Sequence, residues 1–522
     1  MRNKITRLGD CVSGEKNYGQ AMKRLWQGIW IGMLCALAPA AELRPVRNVL
    51  LFLTEDQGVD LGCMGTKGLD TPNIDAFAKS GVLFERAFCL SPVCSPSKMA
   101  MFTGTYPHTN SAYRNVPDYG VNFPLQGDPS NLSLGGVHED LPTLIEILRR
   151  QGYFTATSHK THVQPIRKWP YHVGYGQPTT EANARAFVKD LVKRSGAKPF
   201  YMTFGIGAPH LPFRGILQNQ KQWSPTGGLT GDGMAKNVDA RDVVVPNCYP
   251  DVPGVRQDIA DYYGAIECVD AVFGAVIDQL RELQQLDNTL VIFSSDHGMG
   301  LHRSKQSIYA TGMRVPLIIG GAGIHQGKRI AAPVSHLDLL PTLLDELGID
   351  PLPHLLGKSL KPLLRDEATA FSDRSTVMTA AHELCDGRAV CDGRYYYVQH
   401  LRKITGASLD KPNLALNADQ YSYRPGDYGN PSGPWFNRSY RATLDAKGTV
   451  GRALLEQWVT GAVPDEELFD LEHDPWCVKN LADEPSLRSI RATLRNELQQ
   501  WRKRSGDYEK LPLEMKRRTA GK

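Results

Sequence analysis

The sequence predicts an α/β fold: a large mixed, mostly parallel sheet with helices on both faces, followed by a smaller C-terminal domain with an antiparallel sheet and a helix. Three observations carry this. Short apolar, β-rich runs alternate with amphipathic stretches over residues 45–365, and parallel strands need such crossovers between them. The runs are apolar throughout, as strands covered on both faces are. After about residue 365 the pattern changes to hairpin and loop signals. Composition agrees: 41% hydrophobic and 22% charged over 522 residues is ordinary globular make-up, which excludes a disordered or fibrous chain and allows a large core.

Residues 1–40 read as a leader. Lys23 and Arg24 form a basic start, Leu25 to Leu37 a mostly apolar run, and Ala38-Pro39-Ala40 a small-residue cleavage pattern, so a signal-peptide core is expected at 22–40. Residues 1–21 read as an upstream extension. A membrane anchor is the alternative, but the run is shorter than the roughly 20 apolar residues a span needs. Cleavage after Ala40 and export to a periplasmic or extracellular location are expected, with no stable membrane span.

The main strands are predicted at Arg47–Thr54, Tyr153–Ser158, Pro199–Gly205, Thr289–Ser295 and Val315–Gly320. Amphipathic spacing predicts helices at Glu139–Gln151, Thr180–Ser195, Gln257–Leu286 and His336–Leu347. Together they make one large domain over 45–365. In the smaller domain, 366–510, Asp392-Gly393 between β-prone runs predicts a hairpin within Arg388–Leu401. Residues 403–450 are rich in Asn, Gly, Pro, Tyr and Ser and are expected to be long loops; Leu487–Arg502 is predicted as a last helix. Residues 511–522 form a basic tail.

The net charge of +5 invites a nucleic-acid partner, but its placement excludes one. Residues 1–40 hold six basic against two acidic side chains, and the last eight residues hold four basic ones, so the body between is slightly acidic. The ten cysteines are widely and irregularly spaced without a CxxC, which excludes a zinc ribbon or a dense disulfide scaffold. Cys385 and Cys391 are a candidate pair; a disulfide and two unpaired strand cysteines both remain open.

Chemistry-bearing residues end three of the strand runs: Thr54-Glu55-Asp56, Ser158-His159-Lys160 and Ser295-Asp296-His297. Ligands of open α/β sheets bind at the carboxyl ends of strands. Glu55 with Asp56, and Asp296 with His297, converging from distant segments, suit a hard divalent cation such as Ca²⁺ or Mg²⁺; ordinary strand-capping acids are the alternative. Cys94 opens a predicted helix and is followed by Pro96 and the basic Lys98. A helix N-terminus favours an anion, so Cys94 is a candidate activated nucleophile, with a buried structural cysteine as the alternative.

The segment Cys94-Ser95-Pro96-Ser97-Lys98 with Phe102-Thr103-Gly104 resembles the sulfatase signature C-x-P-S-R, whose cysteine becomes formylglycine. Gly152 to His162 resembles the second signature, with His159 where glycine is usual. Thr71-Pro72-Asn73-Ile74-Asp75, Ala208-Pro209-His210, Ser295-Asp296-His297-Gly298, Lys305-Gln306-Ser307, Gly357-Lys358-Ser359-Leu360 and Glu467-Leu468-Phe469-Asp470-Leu471 follow in family order. Lys160-Thr161-His162-Val163 and Asn480-Leu481-Ala482 are most similar to the heparan N-sulfatase (sulfamidase) branch.

The resemblance implies an alkaline-phosphatase-like fold and a hydrolase of sulfate esters or sulfamates on a sulfated, glycosaminoglycan-like saccharide. It implies a Ca²⁺ (or Mg²⁺) held by Glu55, Asp56, Asp296, His297 and residue 94, with formylglycine made from Cys94 by a formylglycine-generating enzyme. A hydroxyl of the hydrated aldehyde would attack sulfur; His210 and Lys305 would protonate the leaving group; His162 would deprotonate the second hydroxyl and Lys160 would contact the sulfate. The sequence departs from the pattern twice. Glu55 stands where an aspartate is usual, and Lys98 stands where the signature has arginine, exchanging a planar fork for a point charge. Read alone, the second departure predicts that Lys98→Arg raises conversion and turnover. The alternatives are a phosphate or phosphonate ester hydrolase of the same architecture and an unconverted sulfate-sugar-binding pseudoenzyme. Tyr113, Arg114, His138, Arg167, Lys168 and Trp169 lie in loops near the motifs and are candidates to line an anionic-sugar cleft, against the ordinary reading of solvated loop residues.

Overall fold

The structure is a computed structural model that describes residues 48–113, 115–116, 136–159, 161–176, 178, 180–210, 213, 238–324, 327–365, 371, 374–381, 386–402 and 438–507. The leader and the basic tail, with Arg114, Lys160 and Cys385, lie outside the described residues. The central sheet has eight strands in the order Lys328–Ile330, Val82–Phe84, Leu317–Gly321, Thr289–Ser295, Asn48–Thr54, Phe200–Ile206, Phe154–Ser158 and Val173–Tyr175. All pairings are parallel except those of Leu317–Gly321, which runs against both neighbours. The three middle strands are buried along their whole length, which is why they read as unbroken apolar runs. Alternate residues serve opposite cores. Val49, Leu51 and Leu53 pack with Met99, Phe102 and Leu340 on one face; Leu50 and Phe52 pack with the other. There the Phe52 ring stacks on Phe204 and Phe293 and meets Phe273 edge-on.

The predicted strands are present within one or two residues, with one exception. The run Val315–Gly320 is cut at Pro316: Arg314–Val315 joins a three-stranded sheet, while Leu317–Gly321 joins the main one. Proline has no N–H for a ladder, so the chain changes partners there. Predicted helices also hold. Glu181–Ser195 is capped by the Thr180 side chain, Pro253–Glu282 starts on its proline, and His336–Leu347 becomes a 3₁₀ turn at His336–Asp338 followed by Leu339–Glu346. Glu139–Gln151 shortens to Leu144–Arg150, because Thr143 and Glu146 form a capping box that starts the helix there.

The C-terminal sheet is antiparallel, with strands Thr376–Ala381, Asp386–Cys391, Tyr395–Arg402 and Glu466–Asp470, and the Asp392-Gly393 hairpin joins the middle pair. The last helix is Arg488–Ser505. One expectation needs correction: within 403–450, residues Arg438–Asp445 form a helix rather than loop. Arg438 pairs with Asp258 and Asp261, and Ser439 N–H donates to Asp258 Oδ2 at 2.7 Å, so docking on the long helix Pro253–Glu282 selects a conformation that local composition did not. Met378, Tyr396 and Val398 of the small sheet share a core with Met99 and Leu340, and the described residues form a single compact unit.

A buried ion network fastens the end of the last helix to this sheet. Arg388, 3% exposed, donates to Asp507 at 2.7 Å and to Asp386 at 2.7 Å. Asp507→Ala leaves that guanidinium half-compensated in the interior and is expected to cost about 3–5 kcal/mol of stability. Chemical denaturation measures it; a loss below 1 kcal/mol would show that the pair contributes little. No described helix is long and apolar enough to cross a membrane.

Candidate active site

The site forms where the strands Asn48–Thr54 and Thr289–Ser295 end side by side. They are parallel neighbours in register, Thr54 opposite Ser295, so Glu55-Asp56 and Asp296-His297 emerge together. Backbone bonds lock the two loops: Asp56 N–H donates to Asp296 Oδ1 at 3.0 Å, and Gln57 N–H to Ser295 Oγ at 2.9 Å. Asp56 takes a left-handed backbone, φ 58°, which turns its carboxylate back across the strand ends. The helix Cys94–Thr103 meets this junction with its N-terminus, and Ser97 Oγ donates to the Asp296 carbonyl. Cys94 Sγ thus lies 3.3 Å from His297 Nε2 and 4.0 Å from Asp56 Oδ1.

Asp56, Cys94, Asp296 and His297 offer ligand atoms that all lie within 4.8 Å of one another, and all four are buried. Their chemistry fits a cation. Asp296 Oδ2 is buried and accepts no hydrogen bond among the described residues. Burial, then the neighbouring Glu55 carboxylate, push the Asp296 carboxyl well above the usual carboxylate range. His297 Nδ1 lies 3.0 Å from the Gly298 carbonyl, which can only accept, so Nδ1 carries a proton and Nε2 faces Asp56 Oδ1 at 3.3 Å. Burial works against a charge on His297, yet Asp296 and Asp56 outweigh it and push the imidazole up to about 9. Carboxylates this deeply buried demand positive charge, supplied by a proton or better by a divalent metal.

Glu55 is the predicted ligand that stands apart from this group of four. Its Oε1 bonds Lys98 Nζ, which also lies 3.7 Å from Asp296 Oδ2. Lys305 Nζ donates to both oxygens of Asp56, at 2.9 and 2.8 Å, and lies 3.2 Å from His210 Nε2. An ammonium and an imidazole in contact, both buried beside the cysteine's carboxylate neighbour, can hold and pass one proton. His162, on the loop after Phe154–Ser158, is buried with a left-handed backbone, φ 52°; Lys160 beside it lies outside the described residues.

The candidate cleft residues fare differently. Trp169 is fully buried against Phe102, and Lys168 is buried with its Nζ donating to the Glu139 carbonyl at 2.8 Å. Both are packing residues, neither cleft-lining nor solvated. Tyr113 is buried with its hydroxyl donating to the His108 carbonyl at 3.2 Å; Arg167 pairs with Glu139 at the surface, and His138 Nε2 lies 2.7 Å from Ser111 Oγ.

Sequence reading missed the supports behind the site. A Cβ on Gly298 would lie 2.1 Å from the Thr311 carbonyl, and one on Gly312 would lie 2.0 Å from the Ser304 carbonyl. These contacts press the segments before and after Lys305 together. Gly298→Ala must displace the His297 loop, and we expect metal affinity to fall by about tenfold or more, the order seen when groups supporting a ligand are lost; calorimetric titration with Ca²⁺ checks it, and unchanged affinity would refute it. Ser295 Oγ, bonded to the Gln57 N–H and the His297 carbonyl, is a second such support.

A helix opened by Cys94, paired acidic strand ends and a mostly parallel sheet with helices on both faces define this α/β architecture. Solved structures share it. A 2-O GAG sulfatase aligns with a TM-score of 0.58 at 22% identity, covering 90% of this chain and 94% of that one. The phosphonate monoester hydrolase of Agrobacterium radiobacter aligns at 0.57 and 18%, covering 88% and 96%. At such identities the likeness shows the fold alone. The sulfatase family pattern matches residues 47–349. The chain belongs to the sulfatase family and is a hydrolase of sulfuric esters or sulfamates. Among curated relatives, the human N-sulphoglucosamine sulphohydrolase is 28% identical over 90% of this chain and 92% of its own. An ulvan-active sulfatase of Formosa agariphila is 28% identical over 91% and 78%.

Proposed function

We propose that this sulfatase hydrolyses sulfate esters or sulfamates of a glycosaminoglycan-like saccharide, using formylglycine at position 94 and a divalent cation, Ca²⁺ before Mg²⁺. The observation that carries the reading is the buried set of Asp56, Cys94, Asp296 and His297, whose ligand atoms converge, flanked by Lys305 and His210. Asp56, Asp296 and His297 would hold the cation with the residue-94 side chain, and Glu55, bonded to Lys98, would stand beside them. When present, the two groups supply an activated hydroxyl for attack on sulfur and neutralise sulfate charge. The chain's own residues do the rest. Lys305 and His210, 3.2 Å apart, hold the proton that the departing oxygen or nitrogen needs. Lys98 sets positive charge near residue 94, Lys160 would contact the sulfate oxygens, and His162 would accept the proton that resets the site. Cys94 is 1% exposed, so a formylglycine-generating enzyme must reach it before the helix packs.

The human relative's name supports a sulfated amino sugar as substrate. The apolar, signal-like segment 22–40 supports export. The test combines peptide mass spectrometry of the Cys94 segment from native-host protein with sulfate release from a panel of N- and O-sulfated mono- and disaccharides. Formylglycine and release from at least one sugar are expected. An unmodified Cys94 in active protein removes the formylglycine mechanism, and cleavage of phosphonate esters alone would favour the other hydrolase class.

A further inference from the structure

The two departures from the sulfatase pattern touch each other. Lys98 Nζ bonds Glu55 Oε1, across a sequence separation of 43 residues, with the two side chains 2% and 3% exposed. One comes from the helix Cys94–Thr103, a turn after Cys94; the other follows the strand Asn48–Thr54. Counted in bonds from Cα, the terminal nitrogens of arginine lie one bond beyond that of lysine, and the oxygens of glutamate one bond beyond those of aspartate. An Arg–Asp pair and a Lys–Glu pair therefore span the same reach and carry the same charges.

We propose that Lys98 and Glu55 are a matched exchange, a positioning pair in which the longer carboxylate compensates for the shorter cation. The pair itself is read from the contact; its consequence for the metal rests on the site reading given above. A close-packed interior does not absorb an extra bond without shifting neighbours. Lys98→Arg against Glu55 is one bond too long and pushes either the carboxylate or the Cys94 helix. Glu55→Asp against Lys98 is one bond too short and draws the carboxylate away from a buried ammonium. Lys98 Nζ lies 3.7 Å from Asp296 Oδ2, so either change moves a charge beside a proposed ligand. The substitution that restores the family signature should therefore harm this protein unless Glu55 changes with it.

A double-mutant cycle tests this on the full chain: wild type, Lys98→Arg, Glu55→Asp and the double variant. Two readouts are needed: the unfolding midpoint in chelator, and Ca²⁺ affinity by calorimetry. Each single variant should lower the midpoint by about 4 °C or more and weaken Ca²⁺ binding by about tenfold. The double variant should return to within about 2 °C and about threefold of wild type. Losses that add in the double variant, or a Lys98→Arg protein equal to wild type in both readouts, would overturn the proposal. If midpoints show rescue while no variant binds Ca²⁺, the pair stands and the metal reading fails. If every variant binds Ca²⁺ but the losses add, the metal reading stands and the pair fails.

Discussion

Replacing Cys94 by alanine is expected to lower sulfate release by about 10⁵-fold or more, the scale on which removal of a nucleophile acts, while the fold survives. Neither nearby serine is placed to substitute for it. Ser97 Oγ donates to the Asp296 carbonyl, and Ser95 Oγ accepts the Val116 N–H at 3.1 Å, so both hydroxyls are engaged in building the loop. Alanine fits the buried helix start, where the side chain has 1% exposure and lies 3.3 Å from His297 Nε2 and 4.0 Å from Asp56 Oδ1. Release from the best saccharide of the panel, together with the unfolding midpoint, gives the answer. Retention of more than about a tenth of the activity would exclude attack from position 94.

Asp56→Asn should be nearly as severe: activity down by about 10³-fold, with the Ca²⁺-induced rise in unfolding midpoint abolished. Asn keeps the size and removes the charge. Asp56 is the shared partner of Lys305, at 2.8 and 2.9 Å, and of His297, at 3.3 Å, besides belonging to the group of four candidate ligands. Losing it removes a carboxylate partner from the Lys305 ammonium, 2% exposed, and a charge from the proposed cation site. Midpoints recorded with Ca²⁺ and with chelator make the check. A variant still stabilised by Ca²⁺ as strongly as wild type would remove Asp56 from the ligand set.

Much of the architecture was legible because it is local. Asn48–Thr54, Phe200–Ile206 and Thr289–Ser295 are buried on both faces, and that condition writes an unbroken apolar run into the chain. The shortened helix at Leu144 was also written locally, in Thr143 and Glu146, but the amphipathic pattern ran past it. The helix Arg438–Asp445 was not legible, because its support comes from Asp258 and Asp261, far away in sequence. Trp169 and Lys168 looked like surface candidates for the same reason: only packing against Phe102 and Glu139 reveals them as interior.

The sequence by itself determined the sheet class, the family, and the residue types that could bear the chemistry: acids and histidine at strand ends, a cysteine opening a helix. Side-chain periodicity and strand-end placement are properties of a chain segment, so they survive in one dimension. Only the tertiary structure decided how those residues divide their work. It set Asp56 with Cys94, Asp296 and His297, tied Lys305 to His210, and joined Glu55 to Lys98. Distances of a few ångströms between segments dozens or hundreds of residues apart are fixed by strand register and helix packing, and no local pattern encodes them.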